Sequence, residues 1–144
     1  MSPQELDQFA RQGYTRVPVV REVLADLDTP LSAYRKLASG PYTYLFESVQ
    51  GGERWGRYSI IGLPATEVVR ITGQHVQVDG PDGRQQQDVA DPIAWVETYR
   101  QAYRSPDLPN LPRFNGGLVG YFGYDSVRFF EPRLGPAPGE DVLG

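Results

Sequence analysis

At Ser2-Pro3, Thr29-Pro30 and Asp91-Pro92 a side chain that caps helices stands directly before a proline. A short polar side chain at this position accepts hydrogen bonds from the first free backbone N–H groups of a helix. Proline at the next position has no N–H to leave unsatisfied, and its φ already suits the helix. Each dipeptide therefore predicts a helix start, and Glu5 completes a capping box with Ser2. The first helix is expected to reach about Gln12 and stop at Gly13, and the second to stop at Gly40-Pro41 with Leu31, Tyr34, Leu37 and Ala38 on one face. The third carries Ile93, Val96, Tyr99 and Tyr103 near helical spacing, with Trp95 and Ala102 widening that face. It runs into the proline-rich connector Ser105–Pro112.

Between these helices the pattern changes to strands and turns. Thr15–Leu24 holds Val17, Val19, Val20 and Val23 and reads as a strand interrupted by Pro18, at an edge or a bulge. Tyr42–Val49 is expected to be a strand, and Arg57–Ile71 one or two more, broken near Gly62-Leu63-Pro64. The polar strand His75–Asp79 and the Gly80-Pro-Asp-Gly83 turn predict an exposed hairpin. Phe114–Glu131 is expected to give a strand, a tight turn and a short helix capped by Asp125, and the tail from Pro132 is poor in apolar side chains. Helices and strands without regular alternation predict an α+β fold: a mainly antiparallel β-sheet with a few flanking helices. The 16 glycines and 13 prolines fall at the boundaries of these elements and so mark turns, and 144 residues with 40% apolar side chains fit one domain over 1–144.

Charge and composition remove several function classes. With 18 acidic against 14 basic residues and a net charge of -4, the chain is unsuited to a nucleic-acid partner. It has no cysteine and only His75, so a thiolate or multi-histidine metal site cannot be built. The first thirty residues contain scattered charges and no apolar run long enough for a signal segment or a membrane span, which predicts a cytoplasmic protein with no membrane contact.

The functional signal lies in Tyr42-Thr-Tyr-Leu-Phe-Glu-Ser-Val-Gln50 followed by Gly56-Arg-Tyr-Ser-Ile-Ile-Gly62. Glu47, Ser48 and Arg57 supply a carboxylate for an ammonium, a hydroxyl and a cation for a carboxylate, and Tyr42, Tyr44 and Phe46 supply apolar walls. Together they would suit a zwitterionic amino acid. The bland alternative is an ordinary strand with its polar residues in solvent. Glu47 and Ser48 would point to opposite faces of a regular strand, so one ligand reaches both only where the strand ends or bulges, as Gly51-Gly52 would permit.

Gly116, Gly117, Gly120 and Gly123 match neither the dinucleotide fingerprint nor a P-loop; close approach to another backbone and a sharp turn is the better reading. Arg54, Arg57, Arg113, Arg128 and Arg133 are dispersed and form no basic patch. His75 is read as a free side chain on the exposed hairpin, Trp95 as core, and Trp55 as a pocket or interface residue. No nucleophile–base set or paired-carboxylate signature can be assembled, so catalytic residues are not expected on this chain.

Three motifs in order, Tyr44-Leu-Phe-Glu-Ser48, Gly56-Arg-Tyr-Ser-Ile-Ile-Gly62 and Phe114-Asn-Gly-Gly-Leu-Val-Gly-Tyr121 with Tyr124-Asp125 and Arg128, resemble the N-terminal domain of anthranilate synthase component I. The likeness runs from about Thr15 onward. It implies that residues 1–144 are the regulatory front of a protein whose second domain binds chorismate and Mg2+. That enzyme converts chorismate and ammonia to anthranilate and pyruvate, with ammonia delivered by a glutamine amidotransferase subunit.

The resemblance assigns Glu47 and Ser48 to part of the L-tryptophan feedback site, with Phe46 where the family has a second leucine, and Arg57 to the ligand carboxylate. It places the rest of that pocket in the second domain and leaves this part of the protein without a cofactor and inactive alone. Aminodeoxychorismate synthase component I shares the architecture, and isochorismate and salicylate synthases are more distant. From another class, a free-standing amino-acid-binding module fits the same polar trio.

Overall fold

The computed structural model describes residues 1–47, 58–109, 111–112 and 114–135. Helix α1 spans Pro3–Arg11, with Ser2 and Glu5 closing the capping box: the Ser2 N–H donates to Glu5 Oε2 at 2.6 Å and the Glu5 N–H to Ser2 Oγ at 3.3 Å. Helix α2 spans Pro30–Leu37, and Thr29 and Ser32 exchange the same pair of bonds at 2.9 and 3.1 Å. Helix α3 spans Pro92–Gln101, where Asp91 Oδ1 accepts from the N–H groups of Ile93 and Ala94, both at 3.0 Å. All three cap–proline starts are therefore helix N-termini, and Gly13, with φ of 80°, follows the first helix as expected.

The strands form two small sheets. Strands β1 (Tyr44–Glu47) and β2 (Ser59–Gly62) make an antiparallel ribbon, and β3 (Val68–Thr72), β4 (His75–Gly80) and β5 (Gly83–Asp88) make a sheet in that order. Gly73 opens the turn from β3 to β4 with φ of 59°. Gly83 follows Pro81-Asp82 with φ of 101°, conformations that only glycine adopts without strain. The architecture is α+β, with antiparallel pairing.

By internal packing the chain divides into two units, one of Met1–Arg21, Ile71–Val76 and Gln86–Gly144, the other of Glu22–Arg70 and Gln77–Gln85. In the first, Thr15 binds the far end of α3: its Oγ1 donates to the Ala102 carbonyl and accepts from the Arg104 N–H, both at 2.8 Å. Arg16 lies over the Tyr103 ring at 4.9 Å and Arg104 over the Tyr14 ring at 5.8 Å. Val76, 1% exposed, is the one buried hydrophobic side chain among the described residues.

Several expectations are corrected. Thr15–Leu24 forms no strand. Pro18 has no N–H to give, the N–H groups of Thr15 and Arg16 both donate to the Arg104 carbonyl, and Val19, Val20, Val23 and Leu24 are exposed.

The stretch from Phe114 to Gly123 likewise forms no strand, leading instead into a 3₁₀ turn, Tyr124–Ser126, and the short helix α4, Val127–Phe130. Gly123 holds the capping position of that turn through its carbonyl, which accepts from the Ser126 N–H and hydroxyl. Asp125 pairs with Arg128 at 2.9 Å instead of capping.

Trp95 is half-buried, stacked on Tyr99 at 4.9 Å, and only Pro92 of α3 is fully buried. His75 is not free, since its Nδ1 lies 2.8 Å from Asp88 Oδ1.

Candidate functional site

The first two sequence motifs meet as the two strands of one ribbon. Tyr44 opposes Gly62, Leu45 opposes Ile61, Phe46 opposes Ile60 and Glu47 opposes Ser59. Alternation places Tyr44 and Phe46 on one face, their rings 4.8 Å apart and tilted by 34°, and Leu45 with Glu47 on the other. Glu47 is exposed at the end of β1, and register sets its carboxylate across from the Ser59 hydroxyl. A carboxylate and a hydroxyl side by side can accept from an ammonium group. Ser48 and Arg57, the other two candidate site residues, lie outside the described residues, as does Trp55.

The approach to β1 is fixed at two points. The Tyr34 hydroxyl of α2 is 2.9 Å from Thr43 Oγ1. Tyr42 holds a left-handed backbone, φ of 60°, and its hydroxyl accepts from Arg70 Nη2, while the Arg70 guanidinium lies 5.6 Å from its ring centre. A non-glycine residue in that region costs on the order of 1 kcal/mol or more, so the surrounding bonds must hold it there.

Arg70 is in turn held by Asp79. The Asp79 carboxylate also receives Arg84 Nε and Gln77 Nε2, both at 2.7 Å. The Arg84 hydrogen bond, aided by Gln77 and Arg70, keeps the Asp79 carboxyl below its usual range.

Sequence reasoning passed over Ser59, Tyr42 as an anchor, and the Arg70–Asp79 pair. Ser59 could have been found from hairpin register. Arg70 and Asp79 flank the Gly73-Gln74 turn and could have been paired once that turn was placed. Nothing in the sequence marks Tyr42 as left-handed, because the strain is imposed by partners remote in the chain.

Among the described residues no group of three or more His, Cys, Asp or Glu side chains that could hold a metal ion is found. None of the helices described is long and apolar enough to cross a membrane.

The chain is 56% identical over 146 aligned positions to anthranilate synthase component 1 of Pseudomonas putida, covering 100% of this chain and 29% of that protein. The same protein of Pseudomonas aeruginosa is 53% identical, covering 100% of this chain and 30% of its own length. That of Neisseria meningitidis serogroup B is 52% identical over 131 positions, covering 91% of this chain and 27% of its own length. The chain thus spans less than a third of the length of the curated relatives it matches, and over its whole length it is related to anthranilate synthase component 1. No family model matches it, and no solved structure does.

Proposed function

We propose that this chain is the N-terminal regulatory domain, residues 1–144, of an anthranilate synthase component I. On this reading it acts in tryptophan biosynthesis in the cytoplasm and carries part of the L-tryptophan feedback site. The observation that carries the reading is the 56% identity to the Pseudomonas putida relative across the entire chain. Chorismate binding, Mg2+ and the conversion of chorismate and ammonia to anthranilate and pyruvate belong to a second domain, and ammonia comes from a glutamine amidotransferase subunit.

In this account Glu47 receives the ammonium of tryptophan, Ser48 and Arg57 receive its carboxylate, and the second domain completes the pocket. The pairing of Glu47 with Ser59 across the β1–β2 ribbon supports it, because it joins the two motifs that supply those groups. Tryptophan inhibits by binding one arrangement of the two domains better than the catalytically active one, and it shifts the balance by no more than that difference in affinity.

The test is a chimera in which this chain replaces the matched segment of the Pseudomonas putida protein, assayed for anthranilate with and without tryptophan. Ser48→Phe is expected to weaken inhibition by about tenfold or more, equivalent to ~1.4 kcal/mol of binding, and to leave the uninhibited rate unchanged. A dose–response curve that the substitution does not move counts against the assignment.

A further inference from the structure

Among the described residues, a left-handed backbone is taken by glycines and by one other residue, Tyr42. Gly40, two positions earlier and with φ of 115°, shows the chain placing glycine where this conformation is needed. Burial does not explain the exception, since Tyr42 is 53% exposed. A non-glycine residue stays in this region only where its surroundings fix it, and such residues gather at sites that bind or switch.

Here the fixing group is the Arg70 guanidinium. Its Nη2 donates to the Tyr42 hydroxyl, its plane lies against the Tyr42 ring, and its Nη1 donates to Asp79 Oδ2. Asp79 is itself held by Arg84 Nε and Gln77 Nε2. The planar fork of an arginine serves a hydroxyl and a carboxylate at once and in set directions, so it passes the position of Asp79 on to Tyr42.

What this bond fixes is the entry to β1. The strand begins two positions after Tyr42, at Tyr44, and ends at Glu47. A two-stranded ribbon of four cross-strand pairs is marginal in water by itself, so its course depends on how its ends are held. With Tyr42 left-handed, the Tyr44 ring meets Gly62 and Glu47 stands across from Ser59. A Tyr42 returned to negative φ would send the chain into β1 along another line and move its far end.

We propose that Arg70 and Tyr42 are positioning residues for tryptophan: Arg70 holds Tyr42 left-handed, Tyr42 sets the line of β1, and Glu47 is thereby presented to the ammonium group. Neither side chain touches the ligand in this account. It rests on the reading of Glu47 as part of a tryptophan site.

The test uses the chimera and its inhibition constant for tryptophan. Tyr42→Gly and Tyr42→Ala both remove the ring, but only glycine takes the left-handed backbone without strain. The alanine variant is expected to need about fivefold more tryptophan than the glycine variant, or a larger excess. Equal constants overturn the proposal, because the backbone of residue 42 then has no bearing on binding.

Arg70→Gln is expected to raise the inhibition constant by about tenfold, with the uninhibited kcat and the KM for chorismate unchanged. Adding Tyr42→Gly to it should recover part of that loss. No recovery overturns the proposal, since an arginine that met tryptophan directly, or that merely supported the fold, would not be replaced by a glycine at 42. Should Arg70→Gln fail to fold, the glycine and alanine variants decide the matter alone.

Amide hydrogen exchange over 44–47, measured without tryptophan, supplies a second readout. Arg70→Gln is expected to speed it by about tenfold and the added Tyr42→Gly to slow it again. Exchange that Arg70→Gln leaves unchanged overturns the proposal. A chimera with the native residues that tryptophan does not inhibit contradicts the regulatory reading itself. An inhibited chimera whose response none of these variants moves contradicts the positioning role alone.

Discussion

The Tyr44 ring occupies the space that a Cβ on Gly62 would need, directly across the β1–β2 ladder. The ring thereby covers the bare backbone of its cross-strand partner, and Gly62 is buried at a position with no side chain to bury. Aromatic cover of a glycine supplies the contact that the missing side chain would have made.

Gly62→Ala is therefore expected to destabilise the chain by about 1–3 kcal/mol in urea denaturation, the usual cost of overpacking a filled site. Tyr44→Ala in the same background should recover part of that loss, because the obstacle is the ring itself. Losses that simply add in the double variant would show that the two residues do not meet.

Thr15→Val removes the hydroxyl that binds the Ala102 carbonyl and the Arg104 N–H, while keeping the shape of the side chain. A loss of about 1 kcal/mol is expected for these solvent-accessible bonds, and Thr15→Ser should restore most of it. Circular dichroism of helix content against urea measures both.

Asp79 links stability to pH with a definite sign. Its folded value is depressed below the ordinary 3.8, first by the Arg84 hydrogen bond, so its contribution is complete above that value and disappears as pH falls through the lower folded one. The difference in unfolding temperature between the native chain and Asp79→Asn should be constant from about pH 7 down to about pH 5 and close below about pH 3.8. A gap that does not narrow as the pH falls below 3.8 would contradict this account.

Glu97 is held by Arg100, then by Gln101, and its carboxyl is lowered from 4.5 to about 2. Carboxyl NMR titration should place its midpoint near 2, and Arg100→Ala should move it upward toward 4.5. Its help to helix α3 is thus present above about pH 4.5 and lost as pH falls toward 2.

What the sequence determined by itself is the set of features decided within a few residues. The helix starts at Ser2, Thr29 and Asp91 were legible because each cap bonds to an N–H only two or three residues away. The turn at Pro81-Asp82-Gly83 was legible because backbone stereochemistry selects glycine there. The first two motifs could be singled out from their residue types, and hairpin pairing then fixes Glu47 opposite Ser59.

Tertiary structure decided the rest. Whether Val17–Leu24 or Leu118–Phe122 becomes a strand depends on a neighbour to accept its hydrogen bonds, and β propensity records a side chain's fit to a sheet without supplying that neighbour. Thr15 finds its partner 89 positions away at Arg104, and Tyr42 finds its own 28 away at Arg70. Such pairings repay the entropy of closing a long loop only once the whole arrangement exists, so no local pattern announces them.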